Sequence, residues 1–122
     1  MKLAAIDIGS NAARLLITEV NINEKGTPSF NKLNLIRVPL RLGFDVFESS
    51  EISKAKIGMV MQTMKAYKHL MNAYGVEHLK ACATSAMRDA KNAADIIRKI
   101  KIVIIKVQII SFLIVCRKKV QS

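Results

Sequence analysis

Apolar and polar positions along the chain sort into short strand-like runs and one long helical stripe. Lys2 to Ile8 is an apolar run broken only by Asp7 near its end. Gly9-Ser10-Asn11 is a turn cluster, and Ala12 to Val20 is a second apolar run rich in Leu, Ile, Thr and Val. This pattern predicts two strands joined by a hairpin turn. Asn21 to Pro28 gathers Asn, Glu, Lys, Gly and Pro and reads as a loop. Ser29 to Leu40 alternates loosely and predicts a third strand, so the first third of the chain forms an antiparallel meander at one side of a mixed sheet.

The helical stripe comes next. Ile57, Val60, Met64, Tyr67, Met71 and Tyr74 recur at steps of three and four, which places them on one face of a helix. Ser53 supplies an N-cap, Gly75 a stop, and the methionines act as core filler. Val76 to Ala83 then predicts a short strand. Thr84-Ser85 starts a turn or helix, Ala86 to Ala90 is one helical turn, and Asn92 caps a helix over Ala93 to Ile100. The β-branched run Ile102 to Ile105, with Val107, Ile109 and Ile110, predicts a last buried strand. Strands alternating with helices give an α/β domain, with a mixed sheet of about five strands and flanking helices.

Composition narrows the class. A chain of 122 residues is one domain, and 51% hydrophobic residues exclude a disordered chain. The stretch from Ile102 to Cys116 is too short and too interrupted by Lys106, Gln108 and Ser111 to span a membrane. No leader pattern opens the chain, so a cytoplasmic protein is expected, with Cys82 and Cys116 as reduced thiols. The net charge of +11 is uneven. Residues 1–98 carry 14 Lys/Arg against 9 Asp/Glu, whereas residues 99–122 carry 6 Lys/Arg and no acid. Such a balance can mean nucleic acid, an anionic membrane or a polyanionic ligand, and equally a basic tail that is simply solvated. With no Trp, two Tyr and four Phe, base stacking is poorly supplied, and no specific nucleic acid partner is expected.

Two segments carry candidate chemistry. In Asp7-Ile8-Gly9-Ser10-Asn11, with Arg14 beyond it, a strand ends in a carboxylate and turns through glycine. Glycine permits a positive φ and close approach of a ligand to the backbone. Asp7 would hold a divalent ion, and Ser10 and Asn11 would donate to phosphate oxygens at the turn. A plain hairpin turn also favours these residues. The second segment, Ala83-Thr84-Ser85-Ala86-Met87-Arg88, lies between a strand and a helix. Ligands in α/β sheets bind beyond the carboxyl ends of strands, where Thr84, Ser85 and the Arg88 guanidinium would suit a phosphate chain. A capped helix with a surface arginine is the alternative. Neither G-x-x-x-x-G-K-[ST] nor G-x-G-x-x-G occurs, nor any C-x-x-C or H-E-x-x-H.

The run Ala5-Ile6-Asp7-Ile8-Gly9-Ser10-Asn11 with Arg14, then Arg41-Leu42-Gly43, then Ala83-Thr84-Ser85-Ala86-Met87-Arg88-Asp89-Ala90 with Asn92, resembles the start of the Ppx/GppA family of exopolyphosphatases and guanosine pentaphosphate phosphatases. The resemblance covers about residues 1–111, the N-terminal lobe of the family's catalytic unit. It implies a ribonuclease H-like lobe of the actin-like and sugar-kinase superfamily. It also implies a magnesium-dependent hydrolase that releases terminal phosphate from inorganic polyphosphate or guanosine pentaphosphate. By that resemblance Asp7 serves Mg2+, while Gly9, Ser10 and Asn11 form the first phosphate loop. Thr84, Ser85 and Arg88 grip phosphate from the other side, and Arg14 and Arg41 are weaker carry-overs.

The family pattern would continue after Ile109-Ile110-Ser111 with glycine and a Glu-Glu-Glu-Ala-type run that carries the catalytic base. This chain continues with Phe112-Leu-Ile-Val-Cys and has no acid after Asp95. No catalytic glutamate is therefore assigned, and residues 112–122 read as a divergent apolar and basic tail of a truncated or frame-shifted chain. An uncovered apolar tail favours self-association, so a homo-oligomer is expected. Three functions follow: a phosphohydrolase fragment inactive on its own, a non-catalytic polyphosphate or polyanion binder, and, third, a kinase or actin-like ATPase.

Overall fold

The computed structural model describes residues 1–105 and 110–115. Three strands open it: β1 (Lys2–Ile8), β2 (Ala12–Ile22) and β3 (Pro28–Pro39). Helices α1 (Leu42–Ser49) and α2 (Lys54–Tyr74) follow, then β4 (His78–Ala83), α3 (Ser85–Asp89), α4 (Ala93–Ile105) and β5 (Ile110–Val115). The strands form one five-stranded sheet in the order β3-β2-β1-β4-β5. The meander β1-β2-β3 is antiparallel, and β4 lies parallel to both β1 and β5. The mixed sheet with flanking helices is as expected.

One face of the sheet makes the core. Ala4, Ile6 and Ile8 on β1 stand opposite Ile17, Leu15 and Ala13 on β2, and opposite Leu79, Ala81 and Ala83 on β4. All nine are buried. Period-two alternation sends Ala5, Asp7, Arg14 and Lys80 to the other face, where they are exposed. Helix α2 closes the core with the expected stripe: Val60, Met64, Tyr67 and Met71 are buried, and Ile57 and Tyr74 pack against them. The Ser53 hydroxyl accepts the Lys56 N–H, and Gly75 ends the helix with φ 71°. The Tyr67 hydroxyl donates to the Ala13 and Ile36 carbonyls, which pins α2 across β2 and β3. Loss of solvation pushes its pKa up to about 12.

Four expectations give way. Residues 102–105 are helical, as the last turn of α4, not a strand. Their β-branched side chains favour a strand locally, but Ile96, Ile100 and Ile104 fall at steps of four on one buried face, with Arg98, Lys99 and Lys101 outside. Burial of that face outweighs propensity. The last strand starts at Ile110 instead, and Val107 and Ile109 lie outside the described residues. Helix α1 was not foreseen. Only Leu42 and Val46 mark its inner face, at a spacing of four. Cys82 is disulfide-bonded, not a free thiol. The sheet register sets Cys82 opposite Ile114, and the chain's other cysteine, Cys116, lies outside the described residues. Lastly, the Asn92 side chain does not cap α4; it engages the backbone of Ile52.

Candidate phosphate-binding site

Parallel pairing of β1 and β4 brings their carboxyl ends side by side, with Ile8 opposite Ala83. The turn after β1 and the segment after β4 therefore meet. The Thr84 N–H donates to the Ile8 carbonyl at 3.0 Å, and the Thr84 hydroxyl donates to the same oxygen at 3.3 Å. Thr84 then leads straight into α3, whose Arg88 N–H closes on the Thr84 carbonyl.

The first turn is tight. The Gly9 N–H donates to the Ala12 carbonyl at 2.9 Å. Gly9 does not take the positive φ expected of it, since the glycines with positive φ are Gly26 and Gly75. A Cβ at Gly9 would stand 3.5 Å from the Ala12 carbonyl and 3.7 Å from the Thr84 hydroxyl, which is ordinary contact. The closer approach is at Gly43, where a Cβ would come within 3.1 Å of the Ser10 Cβ. Nothing in the local pattern of Arg41-Leu42-Gly43 assigns it a structural task. Its backbone supplies one: Arg41 and Leu40 donate to the Asn11 carbonyl, and Gly43 donates to the Ser10 carbonyl. Arg41 adopts a left-handed conformation, φ 53° and ψ 44°, to turn β3 into α1. For a non-glycine residue that costs about 1 kcal/mol or more.

Ser10, Gly43, Val46, Phe47, Ala86 and Asp89 line a cleft of about 300 Å³ between the first turn, α1 and α3. Thus Gly9, Ser10, Asn11 and Thr84 converge, and Ser85 and Arg88 lie on the short helix that follows. Arg88 is 28% exposed, with its Nε 3.8 Å from the Asp89 carboxylate. Asp7 and Arg14 form a directly opposed cross-strand pair and share the exposed sheet face. Arg41 is exposed at the start of α1.

Among the described residues no group of three or more His, Cys, Asp or Glu side chains could hold a metal. Mg2+ at phosphate sites is characteristically held by one or two carboxylates, waters and substrate oxygens. A single exposed carboxylate at a strand end, as at Asp7, fits that mode.

Comparison with known proteins decides the family. The Ppx/GppA phosphatase family profile matches residues 21–112. The chain belongs to the Ppx/GppA phosphatase family. Exopolyphosphatase 1 of Mycobacterium tuberculosis is 29% identical over 101 residues, covering 83% of this chain and 28% of that protein. The bifunctional 3-dehydroquinate synthase/phosphatase of Fusobacterium nucleatum is 30% identical over 99 residues, covering 80% of this chain and 15% of that protein. The crystal structure of the Aquifex aeolicus Ppx/GppA family member superposes with a TM-score of 0.76 at 31% identity, over 93% of this chain and 35% of that one. Thermus thermophilus RuvC shares the fold alone, with a TM-score of 0.60 at 13% identity. The fold is accordingly a ribonuclease H-like lobe. This Ppx/GppA chain spans about a third or less of the length of those phosphatases. No helix among its described residues is long and apolar enough to cross a membrane.

Proposed function

We propose that this Ppx/GppA lobe grips the terminal phosphates of inorganic polyphosphate or guanosine pentaphosphate, as one half of a phosphoanhydride hydrolase. The observation that carries the reading is the convergence of three separate sequence segments on one end of the sheet, through Thr84 to Ile8 and Gly43 to Ser10. Phosphoryl transfer asks chiefly for positioning and charge neutralisation. Ser10 and Asn11 offer hydroxyl, amide and backbone donors at the first turn. Thr84 and Ser85 offer hydroxyls after β4, and Arg88 offers a guanidinium whose fork matches phosphate oxygens. Asp7 would hold Mg2+, which when bound would neutralise phosphate oxygens and help orient the attacking water. Arg14, opposite Asp7, adds positive charge on the same face.

The chain has no acid after Asp95, where the family pattern would bring its water-activating glutamate. Loss of such a base lowers a rate by about 10²–10⁴-fold. We therefore expect phosphate binding with little or no hydrolysis by this chain alone. The assay measures tripolyphosphate binding and phosphate release with Mg2+, for the wild type and for Asp7→Ala and Arg88→Ala. Binding that weakens in both variants, without turnover, supports the reading. Turnover abolished by Asp7→Ala would overturn the inactivity, and binding indifferent to Arg88→Ala would overturn the site. The second reading, a polyanion binder that works through its basic tail, predicts instead that deleting residues 117–122 matters more than Arg88→Ala.

A further inference from the structure

Three side chains line up across the carboxyl end of the sheet, on the face away from the core. Asp7 is the register partner of Arg14 on β2 and of Cys82 on β4. Leu79, Ala81 and Ala83 turn into the core, so the alternation of β4 sends Cys82 to the face that Asp7 and Arg14 share. Neighbouring strands stand about 4.8 Å apart, which sets the Cys82 sulfur beside the Asp7 carboxylate. Cys82 is half-buried and Asp7 is exposed. Cys82 is in a disulfide, and the sequence offers Cys116 as its one possible partner within the chain. The oxidation state of this sulfur changes what Asp7 meets. A disulfide sulfur carries no proton and leaves the carboxylate oxygens to Arg14 and to a cation. A thiol is a donor, and a carboxylate accepts from it. Reduction therefore puts an S–H beside Asp7 that competes with Mg2+ for its oxygens. Where one carboxylate is the protein's share of the coordination, that competition weighs heavily.

We propose that Cys82 is a redox-modification site that controls Asp7: the disulfide form leaves the carboxylate to Mg2+, and the dithiol form holds it back. The inference rests on the reading of Asp7 as the Mg2+ carboxylate. The reaction is thiol–disulfide exchange with a small thiol of the glutathione class. Its thiolate attacks one sulfur of the bridge, forms a mixed disulfide and releases the other cysteine, which takes up a proton. A second glutathione thiolate attacks the glutathione sulfur of the mixed disulfide and releases the remaining cysteine, which is protonated in turn. The bridge and two glutathiones become two cysteine thiols and one oxidised glutathione, so two electrons and two protons pass to the protein. Oxidised glutathione reverses the exchange. Linkage adds a reciprocal consequence. If the bridged form binds Mg2+ and phosphate more tightly, those ligands make the bridge harder to reduce by the same factor.

The test titrates the full chain with tripolyphosphate at several Mg2+ concentrations, once oxidised and once reduced with dithiothreitol. Affinity should be about tenfold lower in the reduced form, within the usual range of coupling between sites. Circular dichroism should show the same fold in both. Cys116→Ser keeps the Cys82 thiol but cannot bridge, so it should bind as the reduced wild type in any redox buffer. Cys82→Ala has neither bridge nor S–H and should bind as the oxidised wild type. In glutathione buffers, saturating Mg2+ and tripolyphosphate should lower the reduction potential of the bridge by about 30 mV, the same tenfold for a two-electron couple. Weak binding by Cys82→Ala overturns the proposal, because the bridge would then be a structural staple. A reduced chain that has lost its fold overturns it for the same reason. A covalent dimer on a non-reducing gel overturns it by placing the bridge between chains. Binding that ignores Mg2+ in both forms removes the Asp7 reading and the switch together, whereas Mg2+-dependent binding that ignores reduction removes the switch alone.

Discussion

Asn92 and Ile52 pair like neighbouring strand residues: the Asn92 Oδ1 accepts the Ile52 N–H at 3.1 Å, and its Nδ2 donates to the Ile52 carbonyl at 2.9 Å. Ile52 is 2% exposed, and one side chain satisfies both of its backbone groups. The contact ties the entry of α4 to the entry of α2. Asn92→Ala should cost about 1–3 kcal/mol by leaving a buried donor and acceptor unmet. Urea unfolding would show this as a lower midpoint at unchanged slope. A midpoint equal to wild type would deny the contact its role.

Tyr67 makes a pH prediction. Its folded pKa is about 12, against 10 for the free phenol. The unfolded chain therefore releases the proton first as the pH rises. Stability from this group is complete below pH 10 and falls as the pH climbs towards about 12, by a few kcal/mol in all. Tyr67→Phe removes that alkaline dependence and costs about 1 kcal/mol at neutral pH for the hydrogen bonds to Ala13 and Ile36. Thermal melts of both proteins across pH 8 to 11 supply the comparison.

Gly43→Ala is expected to act on binding more than on folding. Its new Cβ would come within 3.1 Å of the Ser10 Cβ and push the first turn by a few tenths of an ångström. Position 43 lies in a helix, where alanine is otherwise favoured. Tripolyphosphate affinity should drop with little change in melting temperature. Equal affinity in the variant would mean that Ser10 does not touch phosphate.

Arg41 separates strain from function. Its φ of 53° suits glycine, so Arg41→Gly should be more stable than Arg41→Ala by about 1 kcal/mol. Both variants lack the guanidinium, so a shared loss of tripolyphosphate binding would assign that loss to charge. A loss confined to one would assign it to the backbone turn.

Asp45 tests the tie between α1 and α2. The Ser53 N–H donates to its carboxylate at 2.9 Å, and that bond lowers its pKa. A depressed carboxylate lends stability above its unfolded pKa and loses it as the pH falls through the folded value. Asp45→Asn should therefore flatten the acid limb of a stability profile below about pH 4.

Much of this architecture was legible from periodicity. The stripe from Ile57 to Tyr74 and the alternation in β1 each reflect a face that must be buried, and burial is what such patterns encode. The motif segments around Asp7, Arg41 and Thr84 could be picked out by residue type, yet nothing local showed that Gly43 abuts Ser10. That contact is a product of the turn at Arg41. The failures share a cause. Ile102 to Ile105 look like a strand locally, but the continuation of α4 buries Ile104 beside Ile100. Asn92 looks like a cap locally, but Ile52, forty residues away, claims its side chain. Helix α1 was missed because Leu42 and Val46 are too few to set a period.

The bond between Thr84 and Ile8 spans 76 positions of sequence. Closing so large a loop is entropically slow, and parallel pairing of β1 with β4 cannot be nucleated by a local turn. The candidate phosphate site is therefore expected to form late in folding, after the β1-β2-β3 meander and α2. A nascent or partly unfolded chain would show its meander to the solvent before that site exists, so a ligand of the site would stabilise only the finished lobe.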